Sequence, residues 1–455
     1  MTSTSLDKLL DVLEKIQFED MPADVIEKAK LCMADFTGVF CGSVNKKMSK
    51  LLRSGLGNTL FTDPESLAMW LASSARTLDL DDGHRYAMAH PGVVINASAI
   101  AMMTAGGCGG ADSKTLIEAL AKGYETYCWQ GRVINPGAYI KRGIDATCAC
   151  GAAASAATAS SLMGFSREQT ADAISLAASV AGGLNQSAID GSAQKYLVAG
   201  FGAKIGIASA KIASCGLGGP ARVFEGKLGF ANAFTPTPDQ ELLDKPQLCW
   251  DIRDVYFKVH ACVRRIHATL DAVQKIVSQN GLKAGDIKSV EVGGGPFLCD
   301  AAKYCPQDAA QAQTSVPYAV AVLLHYGKVE EELVEENLSN EAIMHLAEKV
   351  TVVRDEEIAA LGEKDKSLWG ASRVTIRTED GREFTERKII PNGDKESPFS
   401  LETLQAKFIS HAETAIGKEK SRALWNALLF LEHDSKPSAI FGGLLDDLKN
   451  VNGER

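Results

Sequence analysis

Gly151-Ala-Ala-Ala-Ser-Ala-Ala-Thr-Ala-Ser160 is a run in which every side chain is small. Alanine is the strongest helix former, and a helix without bulky side chains lets its neighbours approach closely. Such a helix belongs in the middle of a bundle. Working outward, helical periodicity predicts elements over 64–78, 92–105, 112–129, 146–163, 167–183 and 198–214, with Ser166-Arg-Glu-Gln169 as a capping box opening one of them. Nearer the N-terminus, Val25, Ile26, Ala29, Cys32, Met33, Phe36, Val39 and Phe40 recur at three-to-four spacing over Met21–Gly42, with Pro22 suited to a first turn. The character changes near Val255. Val255–Val259 and Ile287–Val292 read as strands, Val263–Gln279 and Ser315–Tyr326 as helices, and Ser372–Thr378 with Arg382–Thr385 as a hairpin turning on Asp380-Gly381. Pro391–Pro398 reads as a polar linker, and helix returns from Leu401 to the end. The expectation is a mainly α fold: a large discontinuous all-helical domain (1–255 and 398–455) carrying an inserted α/β (α+β) lid domain (256–397). A cleft between two such domains is a usual place for a ligand.

Composition narrows the function. The 455 residues are 45% apolar and 23% charged, with a net charge of −9, as in a folded globular protein. An acidic chain lacks the basic face that meets phosphates, so a nucleic-acid partner is not expected. Neither a signal peptide's apolar core nor an uncharged run of about 18 residues is present, so a membrane partner is not expected either. The 11 cysteines are scattered and odd in number. They read as reduced thiols of a cytoplasmic protein.

Three stretches concentrate chemistry. Leu78-Asp-Leu-Asp-Asp-Gly-His-Arg-Tyr-Ala-Met-Ala-His-Pro-Gly92 holds Asp79, Asp81, Asp82, His84 and His90, in a chain with 8 histidines in all. Carboxylates beside imidazoles serve acid–base chemistry, a metal site or a capped loop. No HExxH partner motif appears, so no metal is expected. Pro91 at a first helical position puts His90 at or beside a helix cap, where the positive helix end favours a neutral ring and attracts an anion. Asp190–Lys204 places Lys195 just before a glycine- and alanine-rich helix, either as a surface lysine or as a group for carboxylate binding and proton transfer. Gly216-Leu-Gly-Gly-Pro220 is not a phosphate loop. Lys258-Val-His-Ala-Cys-Val-Arg-Arg-Ile-His267 suits binding of a di- or tricarboxylate, with arginine as the bidentate group. The plainer reading is a salt-bridge network. Cys262 as a nucleophile lacks the third member that a triad needs.

With these stretches together, the chain resembles the MmgE/PrpD family of 2-methylcitrate dehydratases, cis-aconitate decarboxylases and iminodisuccinate epimerases. The resemblance runs over nearly the whole length. Its markers are Leu-Asp-Leu-Asp-Asp-x-His, His90-Pro-Gly92, the Gly151 run, Lys195-x-Leu-x-Ala-Gly200 leading to Gly216–Pro220, Lys258–His267, and Pro391-Asn-Gly-Asp394 before Pro398. It implies a helical domain with an α/β lid, usually a homodimer, and a lyase or isomerase that needs no metal or organic cofactor. A base would remove a proton α to a carboxylate, and positioned cations would stabilise the enolate-like intermediate. Loss of hydroxide, loss of carbon dioxide, or reprotonation on the other face would then separate dehydratase, decarboxylase and epimerase. Dehydration of a methylcitrate-like acid comes first on family frequency, and a non-catalytic carboxylate-binding protein is the alternative class.

By motif, His90 would be the acid–base group, Asp79 its orienter or a substrate contact, and Lys195 a substrate or proton-transfer group. Arg264, His267, Lys258 and Tyr318 would bind substrate. His84 is counted with them, although it also reads, like Asp81 and Asp82, as structural support. The chain departs from the family at Asp145, where a histidine is usual, at Val198, also usually histidine, and at Gly83, often threonine. An aspartate at 145 would act as a base or recognise an amine or imine.

Overall fold

The computed structural model describes residues 3–434 and 436–451, and the chain divides into two compact units. The first takes Met1–Gln186, Gln194–Val255 and Ser400–Arg455, and the second takes Ser187–Ala193 and Tyr256–Phe399.

The described part of the first unit is built mainly of helices, and the alanine-rich run is at its centre. The Gly151–Leu162 helix packs against Pro91–Thr104, Ser113–Ile134, Arg167–Val180 and Gln194–Ala213. Its small side chains permit the close approach: a Cβ on Gly206 would lie 2.3 Å from Cβ of Ser155. The Ser155 hydroxyl donates to Ala203 O at 2.9 Å and meets the Ser98 hydroxyl at 2.8 Å, so both hydroxyls at this close approach are paired. The Ser166/Gln169 capping box forms as expected. Among the described residues one helix, Gln194–Ala213, is long and apolar enough to cross a membrane, and 61% of its apolar window is buried within the protein, as befits a core helix.

Several boundaries differ from the sequence reading. The helix expected at 198–214 starts at Gln194, so Lys195 lies in its first turn rather than ahead of it. The described C-terminal residues form α-helices over Leu401–Ile416, Lys418–Leu429 and Pro437–Val451. Gly417, at φ +78°, ends the first of them, a conformation that costs glycine little.

The second unit holds a four-stranded sheet of β1 (Ile287–Gly294), β2 (Val350–Arg354), β3 (Ser372–Thr378) and β4 (Glu383–Lys388), in the order β2-β1-β3-β4. β1 and β2 are parallel, with Val290 opposite Val350. β1/β3 and β3/β4 are antiparallel, with Val292 opposite Val374 and Thr375 opposite Thr385. The His267–Asn280 and Val316–Tyr326 helices bury Leu270, Val273, Val320 and Leu323 in one core with Val290, Val292, Val374 and Ile376. The predicted hairpin is present, with Gly381 at φ +85°. The strand expected at Val255–Val259 shrinks to Val255–Tyr256. β2 escaped the sequence reading because its short Val-Thr-Val-Val run pairs only through a long crossover.

Pro391–Pro398 is not a linker. Gly393, at φ +95°, packs so closely that a Cβ would lie 2.2 Å from Phe257 O. Its N–H donates to Ser397 O at 2.8 Å, and Phe257 N–H donates to Gly393 O at 3.1 Å. The loop is a folded part of the second unit.

Candidate active site

The Pro64–Arg76 helix, capped at its start by Asp63, ends on Arg76. The chain then turns through Asp79, whose φ is +51°, a left-handed conformation that aspartate tolerates better than most residues. Leu78 and Leu80 are buried in the apolar core. Asp79 and Asp81, the alternate residues, both reach one nitrogen of Arg76: Nη1 donates to Asp79 Oδ1 at 2.8 Å and to Asp81 Oδ1 at 3.1 Å. Lys195 Nζ donates to the other Asp79 oxygen at 3.0 Å. At the opposite end, His90 Nδ1 lies 3.0 Å from Asp81 Oδ2 and 2.9 Å from Asp82 O. The result is a chain of alternating charge, Lys195–Asp79–Arg76–Asp81–His90, held within the first unit.

The Asp82 carbonyl facing Nδ1 makes it the donor nitrogen of His90, and the Asp81 carboxylate stands beside that nitrogen as an ion-pair neighbour. The neutral ring therefore carries its lone pair on Nε2. A carboxylate behind the donor nitrogen stabilises the imidazolium formed when Nε2 takes a proton, the arrangement that serves general-base histidines elsewhere. The two carboxylates are 0% and 1% exposed, while the ends of the chain, Lys195 and His90, are 9% and 16% exposed, so the histidine end is the more accessible one. The sequence places His90 at or beside a helix cap. It is the N-cap residue of Pro91–Thr104 but makes no side-chain cap bond.

The capping is done by Asp82, whose Oδ1 accepts from Gly92 N–H at 2.8 Å and Oδ2 from the Tyr124 hydroxyl at 2.7 Å. This explains the His-Pro-Gly pattern, because a Cβ at residue 92 would stand 2.2 Å from Asp82 Oδ2. Gly92→Ala is expected to destabilise the fold by about 3 kcal/mol, measured by urea unfolding. Burial pushes the Asp82 carboxyl up to about 7, against the bonds from Tyr124 and Gly92. A carboxyl whose pKa is raised on folding favours the folded state below about pH 4, and that contribution is lost as pH rises through about 7. Relative to Asp82→Asn, the native protein is expected to lose about 4 kcal/mol of stability between pH 4 and 8, read from paired denaturation curves.

His84 is a supporting residue. Its Nδ1 accepts from Ala87 N–H at 3.0 Å, which leaves the ring proton on Nε2, 3.8 Å from Asp251 Oδ1. Asp251 is itself paired with the Arg132 guanidinium, and burial pushes its carboxyl up to about 7. His84, Asp251 and Asp254, and likewise Glu125, Cys249 and Asp251, bring metal-ligand types together. A cation already stands there: Arg132 also lies 3.8 Å from Asp254, and Glu125 accepts from Cys249 N–H at 2.7 Å and Asp251 N–H at 3.0 Å. The groups read as an arginine site.

Asp145 N-caps the short Ala146–Ala149 helix, its Oδ1 accepting from Thr147 N–H at 2.8 Å. That bond accounts for an aspartate here without base chemistry.

The lysine-to-histidine stretch lies in the second unit. Lys258, His260 and His267 are buried. His267 Nε2 faces Cys262 O at 3.1 Å, and its ring meets that of His260 edge-on at 5.4 Å. His260 Nε2 lies 3.7 Å from Asp271 Oδ1, and Asp271 Oδ2 accepts from Asn392 N–H at 2.7 Å. Arg264 holds Asp394 bidentately, with Nε to Oδ1 at 3.2 Å and Nη2 on Oδ2, and stacks 5.0 Å over Tyr256. The Pro391-Asn-Gly-Asp394 motif thus serves Arg264 and Asp271. Cys262 is fully buried in the core of this unit. Tyr318 departs from its expected role as a substrate contact: it is buried in the same core, its hydroxyl donating to Val334 O at 2.9 Å, and burial pushes its pKa up to about 12.

The sequence reading gave Arg76 and Asp271 no role, named Asp394 only within a family marker, and gave Asp79 as the orienter of His90 or a substrate contact, whereas the carboxylate near Nδ1 is that of Asp81. A signal for Arg76 was present, namely a basic residue closing a helix three and five positions ahead of two acids.

Two family models cover most of this chain. The MmgE/PrpD N-terminal domain matches residues 7–243 and the MmgE/PrpD C-terminal domain matches residues 260–432. The "cis-aconitate decarboxylase-like protein oryM" of Aspergillus oryzae is 25% identical over 97% of this chain and 97% of its own length. A cis-aconitate decarboxylase of Aspergillus terreus is 24% identical over 91% of this chain and 90% of its own. With both domain models matched in order along nearly the whole sequence, the chain belongs to the MmgE/PrpD family.

Proposed function

We propose that this protein is a lyase acting on a small di- or tricarboxylate, with His90 moving the proton α to a carboxylate through Nε2. The observation that carries this reading is the setting of Nδ1, with Asp82 O at 2.9 Å holding the tautomer and the Asp81 carboxylate at 3.0 Å favouring the charged ring. Lys195, 3.0 Å from Asp79 Oδ2, is the proposed cation for the enolate-like oxygen. In the second unit, Lys258 and His267 are the proposed carboxylate-recognition groups. Arg264 has its fork occupied by Asp394 and is assigned the task of holding that loop. None of these steps calls for a metal or an organic cofactor. A second copy of the chain as partner rests on the family resemblance, and a cytoplasmic location on the scattered, odd-numbered cysteines.

The leaving group decides which way the proton moves: hydroxide carries off an electron pair, so His90 removes a proton from carbon, whereas carbon dioxide leaves its pair behind, so His90 in its charged form returns a proton to carbon. The relatives' names favour carbon dioxide from a cis-aconitate-like acid. Hydroxide from a methylcitrate-like acid, placed first by the sequence reading, is the second possibility. Asp145 supports neither the epimerase nor the amine-recognition reading, since helix capping explains it. Incubating the protein with citrate, methylcitrate, cis-aconitate and iminodisuccinate under NMR observation separates these outcomes. Loss of carbon dioxide from cis-aconitate supports the first reading and dehydration of methylcitrate the second. Binding without conversion of any acid would replace both with the non-catalytic class.

A further inference from the structure

Arg76 is only 4% exposed, and it stands between two buried carboxylates that are two residues apart in sequence. Each carboxylate bonds it through one oxygen and turns the other to a different partner: Asp79 Oδ2 accepts from Lys195 at 3.0 Å, and Asp81 Oδ2 lies 3.0 Å from His90 Nδ1 as an ion pair. Two like charges this close in a dry interior cannot both stay ionised without a cation between them. Arginine is the side chain suited to that place, because it keeps its proton throughout the working pH range. Burial works against the guanidinium's charge, but Asp81 and Asp79 outweigh it and push its pKa up.

We propose that Arg76 is a positioning residue that couples the two ends of the chain, so that the charge state around Lys195 and Asp79 sets the proton affinity of His90. This rests on the reading of His90 as the proton-transfer group. With His90 neutral, the two cations and two carboxylates cancel. When His90 takes a proton the chain carries one positive charge, suited to a substrate that is itself an anion. Other charged groups act on the same chain. Asp145 bears on Arg76, Asp35 (paired with Lys407 at 2.5 Å) bears on Asp81 and Asp82, and Asp82 is bonded to Tyr124. None of these joins both carboxylates through one atom as Nη1 of Arg76 does.

The test is a titration of His90 by NMR in protein labelled at histidine Cε1, the signal being assigned by its loss in His90→Gln. Removing a nearby positive charge raises an imidazole's midpoint and removing a negative one lowers it. Arg76→Gln is expected to raise the His90 midpoint by about one unit, and Asp79→Asn to lower it by about half a unit. Asparagine accepts the left-handed backbone at residue 79, so Asp79→Asn keeps the test available if Arg76→Gln does not fold. A folded Arg76→Gln protein, or an Asp79→Asn protein, whose His90 titrates as in the native chain overturns the coupling. The acid limb of kcat/KM is followed in parallel. A moved midpoint with an unmoved acid limb keeps the coupling and overturns His90 as the proton-transfer group.

Discussion

His90→Gln is expected to lower kcat by about 100- to 10,000-fold, the usual worth of a positioned acid–base group, with little change in thermal stability. The stability expectation follows from the local structure. The imidazole makes no cap bond to its own helix, and the helix start is held by Asp82 through Gly92 N–H at 2.8 Å. Glutamine keeps a donor for Asp81 and for Asp82 O but has no group that takes a proton near neutral pH. Steady-state kinetics on the converted acid, beside a melting curve, check both halves of the expectation. Loss of folding with loss of turnover would leave His90 a structural residue instead.

Asp81→Asn is expected to cost about 1,000-fold in kcat. An asparagine amide offers an N–H where His90 Nδ1 meets a carboxylate oxygen. The ring can then accept at Nδ1 and carry its proton on Nε2, which is the wrong tautomer for a base. In hydrolytic triads that error costs about 10,000-fold. The smaller figure here reflects Asp82 O, 2.9 Å from Nδ1, which still draws the correct tautomer. Asp79→Asn is expected to fall short of Asp81→Asn in kcat, because Asp79 bonds Arg76 and Lys195 rather than standing behind the ring. If the two asparagine variants lost equal activity, the assignment of Asp81 as the orienting carboxylate would not stand.

The fold was legible where periodicity is long and side-chain size is informative. The Gly151 run announced a central helix, and the Asp380-Gly381 turn announced its hairpin. The misreadings share a physical origin. β2 is five residues whose partner lies a long crossover away, so no local pattern marks it. Pro391–Pro398 has a linker's composition, yet Asn392 N–H, Gly393 and Asp394 each meet a group from elsewhere in the second unit, and composition carries no trace of that.

At the site, the Leu78–Gly92 segment was recognisable from residue types alone. Which carboxylate serves which histidine was not, because it depends on the left-handed turn at Asp79 and on Arg76. A helix-ending arginine three residues before an acid is too common a pattern to single out. For Tyr318, motif position suggests a substrate contact, and the structure gives its hydroxyl to a backbone carbonyl of the core.

The most direct test of the central claim is solvent exchange. The protein is incubated in D2O with citrate, methylcitrate, cis-aconitate and iminodisuccinate, and deuterium entering carbon-bound positions is followed by NMR for the native chain and for His90→Gln. The native chain is expected to introduce deuterium α to a carboxylate in at least one of these acids or its product, and His90→Gln is expected not to. Incorporation that survives the substitution, or its absence from every acid with the native chain, would contradict that claim.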